Sequence, residues 1–207
     1  MGSEVWPLVH AERAALIEDL DGLDAAQWDT PSLCEGWSVH DVAAHLVNTA
    51  RTTRLGFLLT MVGAGFDFDR QNARGVARSR GATPRETLER LRGAAALTKT
   101  PPAPLDTRLV EEVVHGEDIR RPLGIAREYP AEAVARALRV HTGMSASMGG
   151  AKELTAGIRL AATDADLVIG DGPEVRGPAA SLLLAVSGRR TALSELDGPG
   201  LARLESA

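Results

Sequence analysis

Arg108-Leu109-Val110-Glu111-Glu112-Val113-Val114-His115-Gly116-Glu117-Asp118-Ile119-Arg120-Arg121 is the stretch on which the reading of this chain turns. At 3.6 residues per turn, Leu109, Val110, Val113 and Val114 make an apolar stripe that needs a core. Glu111 and His115 stand four apart and stack on one face beside that stripe. A carboxylate and an imidazole so placed supply two thirds of a His/His/carboxylate metal site. The same spacing arises by chance, and a solvated Glu–His pair needs no metal. A third ligand has to come from another element, and five histidines are the pool.

On either side, start and stop signals mark further helices. Arg120 and Arg121 close the last turn of the central segment, and Pro122 and Gly124 stop it. Pro130 opens a helix that runs to Gly149-Gly150. Upstream, Pro101, Pro102 and Pro104 stiffen a linker to Asp106, which is placed to cap the central helix. Thr83-Pro84-Arg85-Glu86 predicts a helix start, with cap, N1 proline and N3 glutamate, running to about residue 98. A polar helix over 69–80 carries Arg70, Arg74, Arg78 and Arg80. Ser38, with Asp41 three residues on, caps a long helix bearing Val42, Ala43, Leu46 and Val47 and reaching about Gly63. His45 sits on that helix, and His40 on another of its faces. Ser3 caps a first helix over about 4–22.

Beyond residue 150 the period changes. Residues 157–163 and 166–169 alternate like short strands joined by a turn at Asp164-Ala165, and 174–176 is a third strand candidate. Gly177-Pro178 opens a helix carrying Leu182, Leu183, Leu184 and Val186. The fold class expected is α+β, mainly α: a helical bundle over 1–150 and a small C-terminal α/β module over 155–207.

Composition narrows the function. Aromatics are 3% of 207 residues, so the core must be built from Leu, Ala and Val, which suits helix packing. A net charge of −5 without a long basic run argues against nucleic acid as partner. Cys34 is the single cysteine, so no intrachain disulfide forms, as expected of a reducing compartment. The N-terminus has no basic stretch leading into an apolar one, and no apolar run nears the ~20 residues that span a bilayer. A soluble, cytoplasmic protein without membrane contact is the expectation.

Three segments carry a resemblance: Leu33-Cys34-Glu35-Gly36-Trp37-Ser38-Val39-His40-Asp41-Val42-Ala43-Ala44-His45-Leu46, the block His115–Arg121, and Ala161-Ala162-Thr163-Asp164 through Gly177-Pro178-Ala179-Ala180. Together they resemble the mycothiol-dependent maleylpyruvate isomerase family of DinB-like metal-binding proteins. The resemblance implies a DinB-like four-helix bundle holding one divalent metal, zinc or another such as nickel, through His45, Glu111 and His115. Glu112 is the alternative carboxylate if the register slips, although it points about 100° further round the helix. Two imidazoles and one carboxylate leave an open position, the pattern of catalytic zinc. The resemblance further implies mycothiol, an actinobacterial thiol, as cofactor or co-substrate, and an electrophilic, anionic small molecule as partner. Isomerisation by thiol addition, rotation and elimination, or transfer that keeps the adduct, are the reactions implied. The C-terminal module, about fifty residues, reads as reduced relative to the isomerase.

Other residues have plainer readings. Arg70 and Arg74 are candidates to position a carboxylate substrate or the thiol, against the reading of a solvated arginine-rich face. Trp37 reads as a packing anchor close to a pocket, Cys34 as a small buried residue, and His10 and His141 as surface or packing residues. Asp118 is expected to orient a neighbour. Two rival functions use the same residues: a hydrolase with metal-activated water, and a non-catalytic, metal-stabilised binding module. A monomer or a homodimer is compatible with the sequence.

Overall fold

A computed structural model of the chain describes residues 5–206, so the expected cap Ser3 lies outside the described residues. The contacts divide the chain into two compact units. One runs to Leu105 and takes in His115–Arg127; the other holds Asp106–Val114 and Glu128 onward. The dividing line passes inside one helix, which therefore belongs to both.

The first unit is helical: α1 (Val5–Asp21), α2 (Ala25–Trp28), α3 (Val39–Arg51), α4 (Arg54–Gly63), α5 (Phe68–Ser79) and α6 (Pro84–Arg92), followed by α7 (Thr107–Arg120), the shared helix. Its core joins Leu16 and Leu20 of α1, Trp28, the α3 face of Val39, Val42, Ala43, Leu46 and Val47, Leu88 and Leu91 of α6, and Ile119 of α7. α3 and α5 approach so closely that a Cβ on Gly75 would lie 2.6 Å from the Asn48 side chain. Buried charges are paired across this unit. Arg120, fully buried, donates to Asp19 at 2.7 Å, and Arg127 to the buried Glu12 at 2.9 Å. Arg120 is thus an interior tie between α7 and α1, where the sequence suggested a helix-end charge; Arg121 does keep to its own helix, on Glu117.

Two helix ends differ from expectation. The helix predicted from Ser38 to Gly63 breaks after Arg51: Thr52 is extended, and the Thr53 hydroxyl accepts from Gly56 N–H to cap a new helix. Threonine competes well for such cap positions, and no proline or glycine is needed. The helix from Pro84 stops at Arg92 rather than near residue 98, with Gly93 as its C-cap.

The second unit comprises α8 (Ala131–Gly143), α9 (Lys152–Thr155), β1 (Arg159–Ala162), β2 (Val168–Ile169), β3 (Glu174–Gly177), α10 (Ala179–Val186) and α11 (Leu201–Glu205), with the first turns of α7. α8 ends at Gly143, short of the predicted Gly149-Gly150, and goes with this unit, although the sequence reading counted it in 1–150. Strand order is β2-β1-β3, β1 antiparallel to β2 and parallel to β3, with Leu160 opposite Val175. α10 is buried along its apolar length and packs on α8. Asp106, on which the sequence placed a helix cap, directs its carboxylate to Arg136 at 2.6 Å. Among the described residues no helix is long and apolar enough to cross a membrane.

Candidate metal centre

The start of α3 is built as its sequence dictates. Ser38 Oγ accepts from Asp41 N–H, and Asp41 Oδ2 accepts from Ser38 N–H at 3.0 Å, a reciprocal capping box. Burial pushes the Asp41 carboxyl upward, but the Ser38 N–H and hydroxyl and the paired Arg80 guanidinium outweigh it, so its pKa lies below the ordinary value. This cap fixes the rotation of α3 and hence the direction of both its histidines.

They serve different ends. His40 turns into the core, edge-on to Trp28 with ring centroids 5.6 Å apart, and its Nε2 lies 2.7 Å from Thr87 Oγ1. That hydroxyl oxygen already accepts from Gly81 N–H, so its proton is available to the imidazole. Burial, helped by Arg80, holds His40 below its ordinary pKa, against opposing pulls from Asp41 and Asp29. His40 is a packing residue.

His45, five residues on, faces α7. Its ring centroid is 4.6 Å from that of His115 and 5.2 Å from that of Trp37. Glu111 precedes His115 by one helical turn. Ligand atoms of His45, Glu111 and His115 all lie within 4.8 Å of one another, so these three groups could hold one cation. The donor chemistry fits: two borderline nitrogens and one hard oxygen suit zinc and its neighbours in the first transition row. Glu112 is buried and does not join the group.

His115 is held from behind. Its Nδ1 lies 2.8 Å from Oδ2 of the fully buried Asp118. A carboxylate oxygen accepts, so Nδ1 carries the proton and Nε2 is the nitrogen that can ligate. Cys34 Sγ donates to the same Oδ2 at 3.0 Å and stands 3.7 Å from His115 Nδ1. Next to it, Leu33 N–H donates to the backbone carbonyl of Asp118 at 3.1 Å. The loop is closed by the Pro31–Ser38 bridge and turned at Gly36, whose φ of +76° suits glycine. Cys34, Asp118 and His115 form a second group of potential ligands, sharing His115 with the first. The sequence shows only part of this. Asp118 stands three residues after His115, but Cys34 is 81 residues away and no spacing rule connects them.

Arg70 and Arg74 go elsewhere. Arg74 donates to Gly63 O at 2.6 Å and Arg70 to Ala64 O at 3.5 Å, both at the end of α4, and Arg70 also pairs with Asp67 at 3.9 Å. His10 stacks by Trp6, and His141 is buried beside Ser187; neither approaches the ligand group in any described contact.

Residues 9–103 match the family described as the mycothiol maleylpyruvate isomerase N-terminal domain. Two solved structures resemble nearly the whole chain. One is the crystal structure of the mycothiol-dependent maleylpyruvate isomerase, with TM-score 0.65 and 17% identity. The other is a mutant of that enzyme in which a histidine is replaced by alanine, with TM-score 0.65 and 16% identity. Each comparison covers 96% of this chain and 93% of the other. No protein of curated function matches by sequence. At such identity the structures show the fold, mainly helical and DinB-like with a small three-stranded sheet.

Proposed function

We propose that this chain, whose residues 9–103 match the family described as the mycothiol maleylpyruvate isomerase N-terminal domain, is a metal-dependent enzyme using mycothiol on an electrophilic, anionic small molecule. The observation that carries this reading is the convergence of His45, Glu111 and His115 within 4.8 Å. A divalent cation held by these side chains supplies the positive charge that favours thiolate over thiol.

The chain's own groups do the rest. Asp118 keeps the proton on His115 Nδ1 and fixes the ring. His45 is buried, with the Trp37 ring packed against it. In the isomerase version, the mycothiol thiolate forms a C–S bond to one carbon of a cis double bond conjugated to a carbonyl. The π pair moves to the carbonyl, rotation occurs about the new single bond, and C–S cleavage returns thiolate and trans product. In the transferase version protonation of the adduct ends the reaction.

The test is a cis-enone acid, maleylpyruvate first, incubated with the purified protein at substoichiometric, stoichiometric and zero mycothiol. Isomerisation driven by substoichiometric thiol is the expected result, and consumption of one thiol per product would narrow the function to transfer. Turnover in the absence of thiol would overturn the proposal in favour of hydrolysis by activated water.

A further inference from the structure

The exposed large hydrophobic side chains are gathered in one place. Of the eight among the described residues, Leu55, Leu58, Leu59 and Val62 lie on α4, Phe66 in the turn that follows it, and Phe68 at the first position of α5. Positions 55, 58, 59 and 62 have the spacing of a helix-packing stripe. Yet Met61 is the one buried residue of α4. Single exposed leucines are ordinary; a contiguous patch rimmed by charge marks an interaction site.

The two ends of this stripe carry opposite charge. Arg51 and Arg54 stand at its start, Asp67 and Asp69 just past its end, and all four are exposed. Asp67 is engaged, since it caps α5 and holds Arg70. Arg54 and Asp69 form no ion pair within the described residues.

We propose that α4 is the self-association face of this protein. Two copies pack α4 against α4 in antiparallel fashion about a twofold axis near Leu58 and Leu59, which sets Arg54 of each copy beside Asp69 of the other. A twofold contact must be self-complementary, and a stripe that is apolar in its middle, basic at one end and acidic at the other satisfies that condition. Its size is sufficient. With exposures of 45–72% at six positions, the side chains offer roughly 600 Å² per copy, and the charged rim brings this near the ~800 Å² per partner of a standard interface. The arginines of α5 make an anionic bilayer the rival occupant. Asp67 and Asp69 oppose that rival, and Arg74 is engaged on Gly63 O.

Sedimentation of the whole protein as purified, between about 1 and 100 µM, reads the proposal directly. A concentration-dependent dimer is expected, lost in Leu58→Glu/Leu59→Glu while circular dichroism and metal content stay unchanged. Arg54→Asp raises the dimer Kd on the order of 10-fold, and adding Asp69→Arg returns it to near the starting value. A wild-type protein that stays monomeric across the range overturns the proposal. So does a dimer indifferent to the leucine changes, or a charge swap that fails to rescue. Phosphatidylglycerol vesicles that bind the monomer through the same leucines would give the face to a membrane instead.

Discussion

α3 and α4 read in the sequence as one helix, and their fates are opposite. α3 buries ten of its thirteen residues and turns His45 toward α7; α4, richer in Leu, Phe and Val, buries Met61 alone. Apolar content therefore does not say where a helix packs. The face that finds partners within the chain does, and Thr52-Thr53 set the two helices on separate courses. One half of the predicted helix serves the core and the ligand group. The other presents its apolar stripe outward.

Substitution of matched leucines is the strongest way to break that contrast. Leu46→Ala, at a site 1% exposed, is expected to cost about 2–5 kcal/mol of unfolding free energy in chemical denaturation. Leu59→Ala, at 64% exposed, should change stability by less than about 0.5 kcal/mol when the protein is dilute. Comparable losses at both positions would mean that α4 is covered within the chain.

A smaller effect sharpens the α3 side. Asp118→Asn keeps the shape but replaces the carboxylate that fixes His115, so metal affinity measured by competition with a chelator should fall about 10–100-fold. Cys34→Ser retains a donor to Asp118 and should fall much less. If Cys34→Ser matched Asp118→Asn, the thiol itself would be a ligand.

The smallest effect concerns pH. His40 and His141 both lie below their ordinary pKa of 6.5: burial lowers His40, with Arg80, and burial lowers His141, with Arg189, against a hydrogen bond to the Val186 backbone. The unfolded chain binds these protons first as pH falls. Their contribution is therefore complete above about pH 6.5 and declines below it, by up to about 1.4 kcal/mol per pH unit for each histidine. Thermal melts from pH 7.5 to 5.5 should show that decline, and His141→Gln should flatten it. An unchanged slope in His141→Gln would remove His141 from the account.

At several places where local chemistry sets an element, the sequence showed it. The Ser38–Asp41 capping box, the N1 proline of α6 and the i,i+4 pair of Glu111 and His115 all stand where their spacing put them. What depended on distant partners was not legible. Cys34 meets Asp118 across 84 residues, and Arg120 meets Asp19 across 101. The parallel pairing of β3 with β1 likewise follows from the return path of the chain, which alternation along a strand does not encode. The break at Thr52-Thr53 was legible in principle, because a hydroxyl followed three residues later by an available N–H is a cap, but the continuous apolar period concealed it.

The central claim, that His45, Glu111 and His115 hold a metal that serves a thiol, is met most directly by elemental analysis joined to mycothiol titration of the wild type and His45→Ala. One equivalent of divalent metal, and thiol binding that disappears with His45, is the result this account predicts. A folded wild-type protein that carries no metal and takes up none when zinc is added would contradict it.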